Sequence, residues 1–279
     1  MQHFDVTLQV ILVVEHLEGL IAVGAGRYDC LDTGLLDQGH ILFGLFQEVF
    51  LVAHLVGPAA AACLSITGDT EISARLIRDL DPHLVALQEV DSGSLRSGYV
   101  NQSRYLANQA SMPFWCHQSN RKVGTVAYAG NGLLSRYEPD LVVEHRLPGV
   151  IPGRGTLLAR FGHDCHGLDV AVVHLALGKR ARIQQLRFLA RELDSGRHLV
   201  VMGDLNTQVD SDPVRQFREV LALRAPTRGL ATYPSWQPQR AIDHILVSQS
   251  LTAGVAEVLD VTYSDHCPVA LDIELPEGV

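Results

Sequence analysis

Residues 198–206 read HLVVMGDLN and predict a short buried β-strand followed by polar residues. The apolar run ends at Gly203 and Asp204, and Asn206 comes two residues later. A carboxylate beside a buried strand is costly unless a cation, a hydrogen bond or a solvent-filled cleft compensates its charge. The end of this strand is therefore a candidate functional site.

The same arrangement recurs at four other apolar runs. Each of these places ionisable residues at one end of a predicted strand: LVALQEV ends near Glu89, VAVVHL contains His174, AIDHILV opens with Asp243 and His244, and TYSDHCPV carries Asp265 and His266. Any one of them has a structural explanation, because strands end at the surface and Asp often caps a turn. Taken together, the five placements predict that these side chains converge on one site.

Helical and strand patterns alternate after residue 67. The spacing predicts a helix over 70–80, with Ile72, Leu76, Ile77 and Leu80 on one face, and a second over 182–193. Further strands are predicted at 84–89, 124–128, 141–144, 156–161, 168–174, 242–247, 255–261 and 269–273. The pattern is that of a mixed, layered α/β domain with more strands than helices.

Composition narrows the class of protein. The chain has 279 residues, 47% of them hydrophobic, with 22 basic and 31 acidic residues and a formal net charge of −9. That length supports one large domain or two small ones, and the apolar content excludes an intrinsically disordered chain. An acidic balance removes any general attraction to DNA or anionic lipid, so charge neither favours nor excludes a nucleic-acid partner.

Cysteine usage and the N-terminus indicate a reduced compartment. Five cysteines, an odd number without close pairs, argue against a disulfide framework or a four-thiolate zinc site. The first residues lack a basic start, and Glu15, His16 and Glu18 interrupt the apolar run that follows. Secretion is not indicated, and we expect a cytoplasmic protein.

Residues 1–66 differ from the rest and are interpreted as an atypical N-terminal segment before a domain over 67–279. The segment holds seven acidic residues and one basic residue, Arg27. Its apolar run at 41–64 is interrupted by Gln47, Glu48, His54 and Pro58, which favours a buried or poorly ordered amphipathic segment over a membrane helix. No stable membrane insertion is expected, although an anchor at 41–64 stays an alternative.

The residue types at the strand ends favour one kind of chemistry. Glu89, Asp204, Asn206 and Asp265 offer carboxylate and amide oxygens, which suit Mg²⁺, with Mn²⁺ as an alternative. Histidines beside carboxylates can move a proton or hydrogen-bond a phosphate near neutral pH. Hydrolysis of a phosphate ester fits this combination best.

Six short motifs carry a family resemblance. In chain order they are QEVD at 88–91, GNGLLSR at 130–136, VVHL at 172–175, GDLNT at 203–207, IDHILVS at 242–248 and SDHCPV at 264–269. Over about residues 67–279 the chain resembles the endonuclease/exonuclease/phosphatase superfamily. That superfamily includes abasic-site endonucleases, pancreatic-type deoxyribonucleases, inositol-polyphosphate 5-phosphatases and neutral sphingomyelinases. The resemblance implies an α/β fold, a four-layered sandwich of two packed, mostly antiparallel sheets flanked by helices.

The resemblance also implies roles for individual residues. Glu89 is the expected principal metal ligand, and Asp265 a further metal-site carboxylate. Asp204 is expected to orient or deprotonate the attacking water, with Asn206 hydrogen-bonded to that water or to a phosphate oxygen. His266 resembles the site histidine, and Asp243 the carboxylate that fixes its tautomer. His174 is expected to contact phosphate.

Two further residues are candidates for substrate binding. Asn131 in GNGLLSR resembles a residue near the substrate, while an Asn between glycines also suits an ordinary turn. Trp236, in the loop TYPSWQPQR with Tyr233 and Arg240, either stacks on a base or ring of the substrate or only pins the loop. Basic residues at 121–122, 136, 154 and 179–182 line a polyanion groove or balance surface charge.

The sequence thus predicts a Mg²⁺-dependent hydrolase that cleaves a phosphodiester, in nucleic acid or a small molecule, by direct attack of water. One departure supports an alternative. Superfamily members usually carry an Asn on their first strand, and no Asn occurs between residues 1 and 90. Residues 1–66 are then either a divergent extension or a displaced reading frame, and the alternative function is a catalytically impaired phosphate-binding or interaction module.

Overall fold

A computed structural model describes residues 6–14, 68–124, 126–150, 152–162, 167–193 and 196–276. Within these ranges there are four α-helices and thirteen strands. The helices are α1 (Gly68–Leu80), α2 (Gln102–Gln109), α3 (Lys179–Glu192) and α4 (Asp212–Val220). None of these helices is long and apolar enough to cross a membrane.

Seven strands form the first sheet. They are β1 (Val6–Val14), β2 (Leu84–Asp91), β3 (Phe114–Val123), β4 (Ala127–Ser135), β11 (Thr252–Ala253), β12 (Glu257–Val258) and β13 (Val269–Leu275). Their order is β11-β13-β1-β2-β4-β3, and β12 also pairs with β13. Only β1 and β2 run parallel, and the other pairs are antiparallel.

Six strands form the second sheet. They are β5 (Leu141–Arg146), β6 (Gly155–Phe161), β7 (Leu168–Val173), β8 (His198–Asp204), β9 (Leu223–Arg224) and β10 (Asp243–Ser248). Their order is β5-β6-β7-β8-β10-β9, with β7 and β8 as the one parallel pair. Each sheet therefore has a central parallel pair inside an otherwise antiparallel arrangement.

Three apolar layers hold the domain together. Between the sheets pack buried side chains such as Leu12, Ala86 and Val172. A second layer joins the outer face of the second sheet to α3 and α4, and a third joins the first sheet to α1 and α2. The order helix, sheet, sheet, helix confirms the predicted four-layered sandwich.

Strand β1 lies within the segment interpreted as atypical. Val10 to Val14 pair with residues 84–88 of β2, and Val6 to Leu12 pair with residues 269–275 of β13. Because β1 stands between two strands of the later chain, residues 6–14 belong to the first sheet. The rest of the segment, including 41–64, lies outside the described residues, and the division at residue 66 stays a prediction.

Some predicted elements differ from the structure. Ile72 is 47% exposed, because the buried face of α1 runs through Thr70, Ser73, Ala74 and Ile77 and includes small and polar side chains. The strand predicted at 124–128 begins only at Ala127, and β3 was missed because its sequence FWCHQSNRKV is largely polar. The strand predicted at 255–261 contracts to the two residues of β12.

Candidate active site

Two carboxylates face each other at the end of the second sheet. Asp204 is the last residue of β8 and Asp243 the first of β10, and the antiparallel register makes them partners. Asp204 is 4% exposed and Asp243 is 1% exposed. The approach of β7 requires glycine at position 203, where a Cβ atom would lie 1.7 Å from the carbonyl oxygen of Val173.

His266 completes a cluster with these carboxylates. Its Nδ1 lies 2.7 Å from Asp243 Oδ2, and Thr232 Oγ1 donates a hydrogen bond to the same oxygen. One ligand atom each from Asp204, Asp243 and His266 lie within 4.8 Å of one another, so the three could hold a metal ion. Asp265 Oδ2 lies 4.0 Å from His266 Nε2, on the other side of the ring.

Glu89 reaches the site from a β-bulge in the first sheet. In the pairing of β2 with β4, Gln88 faces Asn131 and Val90 faces Gly130, so Glu89 is the extra residue. Its φ of 57° lies in the left-handed region, which is rare for a residue with a side chain. Such a conformation persists only where the surrounding structure holds it, and it clusters at functional sites.

His174 and Arg154 lie between Glu89 and Asp204. Nε2 of His174 is 3.9 Å from Glu89 Oε1 and 3.6 Å from Asp204 Oδ2. Arg154 Nη1 is 3.8 Å from Glu89 Oε1, and it lies 2.6 and 2.8 Å from the two ring nitrogens of His174. The two sheets thus contribute to one cluster that contains a guanidinium, an imidazole and two carboxyl groups.

The environment moves the pKa values of three groups. Burial and the charge of Asp243 raise the pKa of Asp204 to about 8. Burial alone would lower the pKa of His266, but the hydrogen bond and charge of Asp243, followed by the charges of Asp204 and Asp265, raise it to about 9. Burial and the charge of Arg154 lower the pKa of His174 to about 3, so this ring is neutral at pH 7.

Asn206 lies beside Asp204 in a tight turn. Its backbone N–H donates to Asp204 Oδ1 over 2.6 Å, and its Nδ2 donates to the carbonyl of Leu175 over 2.9 Å. Asn206 has a φ of 52°, a conformation that Asn tolerates better than most residues. The turn leaves Asn206 Oδ1 available as an acceptor at the edge of the cluster.

Comparison with known proteins identifies the family. The sequence model described as "Endonuclease/Exonuclease/phosphatase family" matches residues 72–266, more than half of the chain. The chain belongs to the endonuclease/exonuclease/phosphatase family. A search of curated proteins found no match.

Several solved structures share the fold of this chain at low sequence identity. An endonuclease/exonuclease/phosphatase family protein from Bacteroides thetaiotaomicron is 13% identical, covers 98% of this chain and 100% of its own, and has a TM-score of 0.67. Humanized TDP2 from D. rerio is 13% identical, with 96% and 99% covered and a TM-score of 0.62. The mannosyl-6-phosphatase of B. thetaiotaomicron VPI-5482 is 16% identical, with 78% and 94% covered and a TM-score of 0.61.

The structure brings together seven of the nine site residues that the sequence predicted. They are Glu89, His174, Asp204, Asn206, Asp243, Asp265 and His266. Asn131 is instead 1% exposed, and its Nδ2 donates to the carbonyl of Gly155 over 3.0 Å, so it bridges the two sheets. Trp236 is 64% exposed, and the neighbouring Tyr233 packs its ring 4.8 Å from that of His266.

The basic residues that the sequence offered for a polyanion groove have different surroundings in the structure. Arg154 is part of the cluster of this family member. Arg136 pairs with Asp81 and donates to the carbonyl of Pro82, and Lys122 lies over the ring of Tyr128. His244, beside Asp243 on β10, is fully buried with Nε2 3.0 Å from the carbonyl oxygen of Thr207.

Sequence reasoning missed Gln88 and Thr232. Gln88 is fully buried; its Nε2 donates to the carbonyl of Val173, and its Oε1 accepts from the N–H of Asp204 over 3.0 Å. It therefore joins the two sheets beside Asp204. An amide inside the apolar run LVALQ was the available signal, because a buried amide must find partners. Thr232 carries no comparable signal in the sequence.

Proposed function

We propose that this chain is a Mg²⁺-dependent phosphoesterase that cleaves a phosphodiester by direct attack of water. The observation that carries the proposal is the convergence of Asp204, Asp243 and His266 within 4.8 Å, with Glu89 and His174 beside them. Phosphoryl transfer needs positioning and charge neutralisation more than covalent chemistry, and this cluster offers both.

The donor set fits a hard divalent cation. Asp204 and Asp243 are partners across β8 and β10, Glu89 Oε1 lies 3.9 Å from His174 Nε2, and Asp265 Oδ2 lies 4.0 Å from His266 Nε2. Four carboxylates thus surround the two histidines, and several like charges around one site favour a bound cation. Within the part of the chain that the structure describes, Asp243 Oδ1 is buried and has no hydrogen-bond partner. Glu89 and Asp265 would hold the metal in our assignment, and Mn²⁺ is an alternative to Mg²⁺. When bound, the ion would polarise a phosphoryl oxygen and stabilise the leaving oxygen.

Asp204 and Asn206 are assigned to the attacking water. Asp204 Oδ1 accepts from the Asn206 N–H, which fixes the carboxylate while Oδ2 faces His174. In its ionised form, which predominates above its pKa of about 8, Asp204 orients the water and takes its proton, and Asn206 Oδ1 accepts the second hydrogen bond of that water. General-base assistance of this kind contributes about 10²- to 10⁴-fold to a rate.

His266 and His174 are assigned to the phosphate. Asp243 fixes the orientation of the His266 ring through Nδ1, so that Nε2 can donate to a phosphate oxygen or protonate the leaving group. His174 remains neutral and donates a hydrogen bond without adding charge. Exposed Trp236 and the neighbouring Tyr233 flank the entrance on the same loop and are candidates to contact the alcohol portion of the substrate. Asn131 is kept as a buried support of the site.

The decisive test compares one active-site variant with a matched control. Hydrolysis of bis(p-nitrophenyl) phosphate by the full chain is measured with Mg²⁺, with Mn²⁺ and with chelator. Asp204→Asn is expected to lower turnover by about 10³-fold or more, because it removes the proton acceptor. Asp210→Asn is the control: Asp210 lies on the same connection, is exposed and pairs with Arg228, and its loss should leave turnover unchanged.

The other outcomes also discriminate. Turnover that persists in Asp204→Asn would refute the site assignment, and turnover that persists in chelator would refute the metal requirement. A folded chain that binds Mg²⁺ and inorganic phosphate but hydrolyses no diester would favour the binding module. Parallel assays with p-nitrophenyl phosphate, prompted by the mannosyl-6-phosphatase among the similar structures, separate a diesterase from a monoesterase.

A further inference from the structure

The loop that follows Glu89 is built around a buried ion pair. Asp91 is fully buried, and its two oxygens accept hydrogen bonds from the backbone of Gly93, Ser94 and Tyr128 and from the hydroxyls of Ser94 and Ser97. Arg96 Nε lies 3.3 Å from Asp91 Oδ2, and the Arg96 side chain is only 12% exposed. The guanidinium is therefore fixed in place from one side.

The same guanidinium contacts the backbone of Glu89. Arg96 Nη2 donates to the carbonyl oxygen of Glu89 over 3.1 Å, while the Arg96 N–H donates to the carbonyl of Val126 over 2.9 Å. Arg96 therefore connects three points of the first sheet: Asp91, the bulge at Glu89 and the turn before β4. The guanidinium makes the contacts to Asp91 and Glu89, and its planar set of donors can make both at once, whereas an ammonium group cannot match their geometry.

The bulge at Glu89 needs an external support of this kind. A left-handed φ costs about 1 to 2 kcal/mol for a residue with a side chain, and the register shift leaves Glu89 outside the ladder. On its N-terminal side, Gln88 is tied to Val173 and to Asp204 of the second sheet. On its C-terminal side, Asp91 and Arg96 supply the second anchor.

We infer that Arg96, held by Asp91, is a positioning residue that fixes the backbone of Glu89 so that its carboxylate points into the metal site. This inference rests on the proposed function, since it gives Glu89 its role as metal ligand. In this role Arg96 acts through Glu89, whose carbonyl oxygen it contacts. Groups that orient a metal ligand typically change metal affinity by about 10- to 100-fold when removed.

The chain contains a chemically matched control. Arg197 also pairs with a buried aspartate, its Nε lying 2.7 Å from Asp169 Oδ1, and it also donates to backbone carbonyls, those of Phe161 and Gly162. Arg197 precedes the first residue of β8, whereas Asp204 is the last residue of that strand. At about 3.3 Å per residue, roughly 20 Å of strand separate this control pair from the site.

The experiment measures Mg²⁺ binding by calorimetry in the full chain for wild type, Arg96→Ala, Arg96→Lys and Arg197→Ala. Circular dichroism first confirms that each variant is folded at the temperature used. Arg96→Ala is expected to weaken Mg²⁺ binding about ten-fold or more, and Arg96→Lys is expected to retain most of the stability while binding Mg²⁺ more weakly than wild type. Arg197→Ala should change the affinity by less than about two-fold at a comparable loss of stability, because Arg197 lies at the opposite end of β8 from Asp204.

Turnover provides a second reading. If Arg96 only positions Glu89, the lost activity of Arg96→Ala should be largely restored by raising the Mg²⁺ concentration, and that of Asp204→Asn should not. Equal Mg²⁺ affinities for Arg96→Ala and Arg197→Ala would overturn the inference.

A metal-free reading separates this inference from the proposed function. Amide resonances of Glu89 and Val90 in chelator should shift in Arg96→Ala and remain unchanged in Arg197→Ala. A wild-type chain that binds no Mg²⁺ refutes the metal role of Glu89, while these resonances still decide whether Arg96 holds the bulge. Unchanged resonances in Arg96→Ala would refute the positioning role even in an active enzyme.

Discussion

Asp91 and Asp204 are both buried, yet their carboxyl groups differ in the number of hydrogen bonds that they accept. Asp91 is the last residue of β2 and accepts hydrogen bonds from five donors besides its ion pair with Arg96. Asp204 ends β8 and has the N–H of Asn206 as its close donor among the described contacts. Burial acts on both carboxylates, but only Asp91 receives full compensation.

The pKa directions of the two residues record this difference. Burial would raise the pKa of Asp91, and the hydrogen bonds from Ser94, Tyr128 and Gly93 reverse the effect and lower it. Burial and Asp243 raise the pKa of Asp204 to about 8. Desolvation penalises the charged form, and hydrogen bonds to the carboxylate restore it, so the donor count decides the sign. The donors around Asp91 hold it as a structural carboxylate, and the raised pKa of Asp204 is consistent with the reactive role proposed for it.

The backbone of Asp204 compensates for its loosely held side chain. Its N–H donates to Gln88, its carbonyl accepts from Leu175 over 3.0 Å, and it pairs across the sheet with Asp243. Asp91 is positioned by contacts to its side chain, whereas Asp204 is positioned through its main chain. This arrangement leaves the Asp204 carboxylate available for chemistry without loss of precision.

The largest expected effect comes from attacking the main-chain support of Asp204. In Gly203→Ala the new Cβ would lie 1.7 Å from the carbonyl oxygen of Val173, inside the parallel β7/β8 pair, and neither strand can move without breaking the sheet. We expect a loss of more than about 4 kcal/mol in the free energy of unfolding, or no folded protein. Soluble yield and denaturant titration measure it.

Gly178→Ala is the control for that substitution. A Cβ at Gly178 would meet no atom within 4 Å, and its φ of −80° is ordinary. The cost should stay below about 1 kcal/mol. A stable, normally folded Gly203→Ala protein would contradict the conclusion that strand packing holds Asp204.

An intermediate effect is expected from the other region of the comparison. Asp91→Asn replaces an oxygen acceptor by an NH₂ group that faces donors and leaves Arg96 without its counter-charge, so the free energy of unfolding should fall by about 2 to 3 kcal/mol. Urea titration in chelator measures this loss without a contribution from metal. Asp210→Asn, which removes an exposed partner of Arg228, should cost less than about 1 kcal/mol. If both variants lost the same free energy of unfolding, the conclusion that the buried hydrogen bonds and ion pair of Asp91 stabilise the fold would be contradicted.

The fold could be predicted from the sequence as far as its apolar strands reach. Runs such as those of β7 and β8 are recognisable because both of their faces are buried. β3 escaped because its outer positions are polar, and β1 escaped because it lies in a segment whose composition resembles no part of the domain. Its pairing with β2 and β13 joins residues more than 70 positions apart, which no local pattern encodes.

In the candidate site, too, residues within local sequence motifs could be predicted and residues placed by long-range contacts could not. Asp204, Asp243 and His266 lie at strand ends within recognisable motifs, so their convergence was predictable, although their roles stay predictions. Gln88 and Arg96 act through long-range or loop contacts, which depend on the positions of other strands. For Asn131 the motif left substrate contact and an ordinary turn open. Its side chain is buried between the sheets, and a role toward the substrate stays a prediction.

The smallest expected effect is also the sharpest test of the comparison, because it concerns the sign of a free energy. Asp204→Asn removes a buried carboxylate that lies opposite Asp243 and has few donors. In chelator, the free energy of unfolding should stay the same or rise by up to about 1 kcal/mol. With its pKa raised to about 8, the carboxyl of Asp204 must either bury a charge or take up a proton when the chain folds near neutral pH, and a neutral Asn needs neither. Urea titrations of Asp204→Asn and Asp91→Asn at one pH give the two changes side by side. Changes of opposite sign in the free energy of unfolding would establish that the carboxyl group of Asp204 destabilises the fold and that of Asp91 stabilises it. A loss at Asp204 as large as that at Asp91 would mean that its carboxylate is a structural anchor, and the reactive role would then have to pass to another member of the cluster.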